Sequence, residues 1–307
     1  MKKNSIIYLF GVLMAALCIT SCGSEDPLTP DYKNPSSYFM PSDDDNSELA
    51  QLRRKFFADH GSYLLFNDTI QKEFLGKDIN GDPRYFVETV DLTYTVGQSG
   101  YGTSQSSYTF TYITEFEKQK AMTEFLENKI LPHFTGSMKP YSWFLSNVIT
   151  GKLGRVVDSQ TVTPYAVVNQ RCVAIACNYL TQRQRTEAQI NNYTARVLNI
   201  IVGTLVKAQE QAFGEFEKIS YEYYGRSYTS LGITGSLSQT DLYKYGFLVG
   251  GSTVVSMCDA SRDIAAYASN VVQYSEEEIE RKYGNYPLVM EKHQIMRRIL
   301  QSLGYIF

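Results

Sequence analysis

The patterning of the chain changes at Thr181, and that change restricts the fold class more than any single residue does. Upstream, short runs alternate apolar and polar residues between turn-forming clusters, as strands with one covered face do. Downstream, apolar residues recur at three- and four-residue spacing behind Ser, Thr or Asp starts, as amphipathic helices do. This segregation predicts an α+β fold, with a mixed N-terminal sheet plus helices over 47–180 and a helical C-terminal half over 181–307.

Individual elements follow from local chemistry. Asp45 or Ser47 caps a helix running to Asp59, and Gly61 stops it. Strands are expected at 62–68, 84–96 and 108–113, and in pieces across 139–151 and 154–159, with a turn at Asn80-Gly81-Asp82 and a Gly/Ser loop over 97–107. A helix from Glu115 to Lys129 ends ahead of Pro132, and QRCVAIACNYL (170–180) is the strongest strand. Thr181 is expected to cap a short helix through 183–187, followed by a long helix to about Lys218. Further helices are expected at 239–245, 261–273, 275–282 and 287–303, the last closed by Gly304.

The first 26 residues, MKKNSIIYLFGVLMAALCITSCGSED, read as an export signal. Lys2 and Lys3 precede an apolar run from Ile6 to Leu17 that is too short to span a bilayer comfortably. Ile19-Thr20-Ser21-Cys22 has the form of a lipobox, in which the cysteine is acylated and becomes the new N-terminus. Cys18 follows the bulky Leu17 and is the poorer candidate. Residues 1–21 are therefore expected to be a lipoprotein signal and residues 22–46, rich in Pro, Ser and Asp, a lipidated flexible tether. A single globular domain is expected over 47–307. Glu25-Asp26 resembles the acidic signal by which Bacteroidetes lipoproteins reach the outer face of the outer membrane.

Composition narrows the chemistry. A net charge of −3 without a Lys/Arg stripe gives nucleic acid no footprint. Beyond Cys22 the chain keeps Cys172, Cys177 and Cys258, an odd number with no CxxC, so buried free thiols are expected rather than a disulfide framework. In a strand, Cys172 and Cys177 point to opposite faces. The three histidines, His60, His133 and His293, stand far apart and are read as surface or capping residues, and Asp259, Asp263, Glu276, Glu277 and Glu278 as solvated helix starts. No phosphate-binding glycine loop or GxSxG elbow occurs, and no cofactor is implied.

The order of segments is informative where single motifs are not. FADHGSYLLFND, then FLENKILPHF and KPYS, then a long helix, then the GF…DASRDIAAYAS block and a terminal helix, resembles the substrate import-associated zinc metallohydrolase lipoproteins of Bacteroidetes, a zincin-like family, across roughly 47–307. Such a relative implies an HExxH helix in which two histidines hold zinc and the glutamate activates water. Here that stretch is LNIIVGTLVKAQ. The natural register puts Val202 and Val206 at the histidine positions and Gly203 at the glutamate position; a one-residue shift gives Gly203, Thr204 and Lys207. Neither register supplies a ligand or a base, and Arg262-Asp263 leaves at most one carboxylate at a later acidic position. The resemblance therefore implies a pseudo-metallopeptidase with no metal.

The expected function is that of a non-catalytic surface lipoprotein, held in the outer membrane by its lipid and accessory to nutrient import. Its partners would be an outer-membrane transporter and a glycan- or peptide-binding lipoprotein of the same operon. With 24 tyrosines in the chain, an aromatic ligand rim is expected at Tyr221, Tyr223, Tyr224 and Tyr228. Two alternatives stay open: an active hydrolase using another constellation, such as His293 with Asp263, and a structural or adhesion subunit at the cell surface.

Overall fold

The computed structural model describes residues 38–92, 107–153, 160–234, 237–251 and 255–307. The expected signal, Cys22, most of the tether, and the segments 93–106 and 154–159 lie outside the described residues.

The compact unit opens at Tyr38, ahead of the boundary expected at Ser47. Phe39 is the reason: its ring packs against Tyr63 at 5.4 Å and Tyr141 at 5.2 Å, and its carbonyl accepts from Arg53 Nη2 at 2.7 Å. Helix α1 (Glu48–His60) follows, its first turn capped by the Ser47 side chain, which accepts from Ala50 N, and its end closed by Gly61.

The main sheet is built on β5 (Ser142–Leu153), the longest strand. It pairs in parallel with β1 (Tyr63–Leu65) and β8 (Val173–Ala176), and antiparallel with β4 (Ser107–Tyr112) and β6 (Gln160–Val162); β7 (Ala166–Val168) pairs antiparallel with β8. The period-two geometry of these strands divides the interior. Leu64, Trp143, Leu145, Val173, Ile175 and Cys177 face the core shared with the helices. Their neighbours Tyr63, Leu65, Phe144, Cys172, Ala174 and Ala176 face a second core with Phe39, Ile70 and Val90. Cys172 and Cys177 thus lie on opposite faces as unpaired buried thiols. Burial pushes the Cys172 thiol up to about 12.

Strand β2 (Thr69–Lys77) is not foreseen from the sequence, because TIQKEFLGK lacks strict alternation. It forms a separate two-stranded hairpin with β3 (Pro83–Thr89). Its base is anchored by Ile70, Val90 and Leu92 in the second core, whereas Phe74, Leu75, Tyr85, Phe86 and Val87 all stand exposed. The long 84–96 strand is accordingly shorter than expected, ending at Thr89.

Helix α2 (Phe116–Phe125) loosens into a π-turn (Leu126–Ile130) and a 3-10 turn (Leu131–His133) where Pro132 has no N–H to donate. The strand expected over 170–180 is confined to its centre, Val173–Ala176, and Asn178–Thr181 forms a single helical turn, α3. The expected cap at Thr181 moves to Thr186, whose side chain accepts from Gln189 N while Gln189 reaches back to the Thr186 N–H. This reciprocal capping box starts α4 (Glu187–Leu205), which carries Val202 and Gly203 and ends just before Val206. The long helix does not continue to Lys218. It tightens into a 3-10 stretch (Val206–Phe213), turns at Gln209, and resumes as α5 (Gly214–Lys218).

The remaining helices stand close to their expected places. They are α6 (Gln239–Lys244), α7 (Ala260–Gln273), α8 (Glu276–Tyr283) and α9 (Pro287–Leu303), with capping boxes at Ser238 and Ser275 and an aspartate cap at Asp259. Helix α4 packs on β7, α7 packs on α4 and α9 on α7, and all three contribute to the core that contains Trp143.

Candidate functional site

The end of α4 is where a metal helix is implied, and there the side chains are packing. Val202 and Val206 each have 0% exposure and belong to the core between the sheet and α7. Gly203 occupies the opposite situation: a Cβ added to it would meet nothing within 4 Å. It is not held for close helix-to-strand approach. Gly203→Ala is therefore expected to raise stability by about 0.5–1 kcal/mol, the helix-interior difference between the two residues. A urea unfolding midpoint that falls in this variant would contradict the open-face placement.

Beside Val206 lies a cleft of about 340 Å³, floored by Phe213 and Ile264 and edged by Lys207, Glu217 and Asp259. The two carboxylates do not converge with a third ligand. Among the described residues no group of three or more His, Cys, Asp or Glu side chains is placed to hold a metal ion. Asp259 is occupied as the cap of α7, its Oδ1 accepting from Arg262 N at 2.8 Å.

Buried near this cleft is the polar cluster with the largest electrostatic consequences. Lys292 of α9 and Asp263 of α7 form an ion pair in which both side chains are 0% exposed. Tyr224 Oη donates to Asp263 Oδ2 at 2.7 Å, Lys292 Nζ donates to Ser220 Oγ at 3.1 Å, and Ser220 Oγ donates to the Tyr245 carbonyl at 3.0 Å. Four rings surround the ammonium: Phe216, Phe247, Tyr267 and Tyr224 have centroids 4.5, 4.9, 5.0 and 5.6 Å from Nζ. Gly246 lets the backbone approach, since a Cβ there would meet Ser220 Oγ at 3.0 Å and Lys292 Cδ at 3.3 Å.

Burial dominates the titration of this pair. It raises the Asp263 carboxyl above the usual carboxylate value against the opposing pull of Lys292, and it lowers Lys292 against the opposing pull of Asp263. Cys258 nearby is pushed up to about 12 by burial, with the Asp263 charge adding to it. Ser220 with Lys292 has the composition of a nucleophile and a base. Ser220 is itself 0% exposed and donates its proton to a backbone carbonyl, so the pair ties helices together and has no face open to a substrate.

Several expectations are corrected here. Asp263 is not a solvated helix start, and His293 is not a surface residue: it is 1% exposed. Its Nε2 lies 3.2 Å from Glu276 Oε1, which also binds Arg297, so the structure joins His293 to Glu276 and not to Asp263. Burial lowers its proton affinity. The four tyrosines of the expected rim differ in exposure. Tyr228 is 5% exposed, Tyr223 and Tyr224 are half-buried against Tyr245 and Phe247, and Tyr221 alone projects, at 75% exposure. Tyr224 is held inward by its hydrogen bond to the buried Asp263, and Tyr228 packs with Phe247 and Met257.

A sequence signal for the pair exists. Lys292 falls in the apolar stripe Val289–Met296–Leu300 of α9, and Asp263 falls one turn before Tyr267 in the stripe of α7. A lysine and an aspartate set in the apolar stripes of two helices are candidates to neutralise one another. No family model, curated protein or solved structure matches the chain.

Proposed function

We propose that this chain is a non-catalytic, zincin-like surface lipoprotein of the outer membrane, which assists import of a glycan or peptide alongside a transporter and a binding lipoprotein. The observation that carries the reading is the state of α4. At the register where the resemblance implies HExxH, Val202 and Val206 are fully buried core residues and Gly203 faces open space. The lipobox ending at Cys22 supports attachment through a lipid. The hairpin β2–β3 leaves Phe74, Leu75, Tyr85, Phe86 and Val87 exposed over its two faces, and this exposed apolar surface supports work in an assembly.

The test has two arms. Cys22→Ser is expected to shift the protein from the membrane pellet to the supernatant and to abolish incorporation of a palmitate label. The purified wild-type protein is expected to carry no stoichiometric zinc and to cleave nothing in a general peptidase screen. Retention of Cys22→Ser in the pellet overturns the anchor, and one equivalent of zinc overturns the account of α4.

A further inference from the structure

A second surface site lies at the other end of α4. Two adjoining clefts of about 220 and 140 Å³ share Tyr165 and Tyr179 in their walls. Tyr179 stacks on the buried Tyr193 at 5.3 Å with an interplanar angle of 8°, and Tyr165 meets the same ring edge-on at 5.6 Å and 82°. The two wall tyrosines are therefore set close to perpendicular, locked by one core ring whose hydroxyl is tied to the Ala176 carbonyl at 2.7 Å.

Each wall carries an arginine. The Arg185 guanidinium lies 3.8 Å from the Tyr179 centroid, and Arg196 lies 5.6 Å from that of Tyr165. Both are oriented by hydrogen bonds that use only part of the fork. Arg185 Nε donates to the Tyr179 carbonyl at 2.7 Å. Arg196 Nε donates to Asn192 Oδ1 at 3.0 Å, and its Nη1 to Tyr165 Oη at 3.3 Å. Both Nη groups of Arg185 and the Nη2 of Arg196 are left to donate. Every ion pair formed among the described residues engages other side chains, so neither arginine has a carboxylate partner among the described residues. Two unneutralised guanidiniums held around one cleft, in a chain of net charge −3, are a local exception that selects for an anion.

The remaining lining narrows the class. Asn178, Gln182 and Asn192 supply amides that donate and accept, as neighbouring hydroxyls of a sugar require. We infer that this cleft binds an anionic oligosaccharide, its carboxylate or sulfate groups taken by Arg185 and Arg196 and its hydroxyls by the amides. An acidic peptide would also engage the arginines and could meet the amides through its backbone, and oligoglutamate in the test below separates the two. The inference deepens the import reading by naming a substrate class, and it rests on that reading only for its biological purpose.

Isothermal titration of the full chain in detergent tests it, with oligogalacturonate, a sulfated chondroitin oligosaccharide, neutral maltohexaose and oligoglutamate as probes. Binding of one of the two anionic saccharides is expected, with maltohexaose and oligoglutamate at least about tenfold weaker. Arg196→Gln, at an exposed position, is expected to weaken binding about tenfold, and Arg185→Gln with Arg196→Gln about a hundredfold, at an unchanged circular dichroism melt. Absence of anionic-saccharide binding overturns the proposal, as do affinity insensitive to the arginine changes and oligoglutamate binding as tightly. Each result is independent of membrane attachment and zinc content, so it fails or stands apart from the lipoprotein reading.

Discussion

Asp263→Ala is expected to lower the thermal midpoint by roughly 10 °C, because it strands the Lys292 ammonium among four aromatic rings. Removing one partner of a buried ion pair costs about 3–5 kcal/mol, and a domain of this size loses a few degrees per kcal/mol. Lys292→Met is expected to cost a comparable amount, since Asp263 would keep only the Tyr224 hydroxyl as a donor while its Oδ1 already lacks a partner. The double change Asp263→Leu with Lys292→Met is expected to recover most of the loss, because no charge is then buried. A double variant no more stable than either single would show that the pair is not the unit of energy.

The same pair sets two limbs of the pH profile. Folded Asp263 holds its proton above the ordinary value of 3.8, so the folded state binds more protons there and stability falls as pH rises through that window. Folded Lys292 releases its proton below 10.5, so the unfolded state binds more protons there and stability rises as pH climbs towards 10.5. Urea unfolding across both windows is expected to show these slopes in the wild type and their loss in the double variant. Persistence of both slopes would place their origin elsewhere.

Gly304→Ala is expected to destabilise by at least about 3 kcal/mol, and Gly304→Val by more. Gly304 has φ +109°, and a Cβ there would stand 2.0 Å from the Thr135 carbonyl oxygen and 2.6 Å from its carbon. Both contacts are backbone, so no rotamer relieves them. The close approach holds a clamp: Thr135 N and Oγ1 both donate to the Gly304 carbonyl at 2.8 Å, and Ile306 N donates to the His133 carbonyl at 2.9 Å. Tyr305 is thereby buried against Phe134 at 5.8 Å. The clamp fastens the end of α9 to the loop before β5, joining the helical half to the sheet. Limited proteolysis is expected to release the C-terminal residues first in the alanine variant, and resistance equal to wild type would mean the clamp closes without glycine.

The two sites probe different parts of what can be read from a linear chain. Gly304 is legible because its signal is local: an apolar helical stripe, then a glycine, then no further periodicity. Ser47 and Gly61 are legible for the same reason. A cap is satisfied by backbone groups within about four residues, so the sequence window contains both partners. The division at Thr181 into sheet and helices is equally local in origin, since each period of apolar residues declares its own element.

The linear chain is therefore enough for the α+β class, several helix ends, and the two-faced setting of Cys172 and Cys177. Tertiary structure alone decided the pairing of β2 with β3, the burial of Tyr228, and the capture of Lys292 by Asp263. It also decided the convergence of Arg185 and Arg196 on two tyrosines. The Lys292–Asp263 pair, the packing of Tyr228 with Phe247 and the Arg196–Tyr165 contact join residues far apart in the chain, whereas the β2–β3 hairpin and the Arg185–Tyr179 contact join near neighbours. The apolar stripes mark Lys292 and Asp263 as charges in need of a partner, but which surfaces the packing brings against a charge decides which partner it meets.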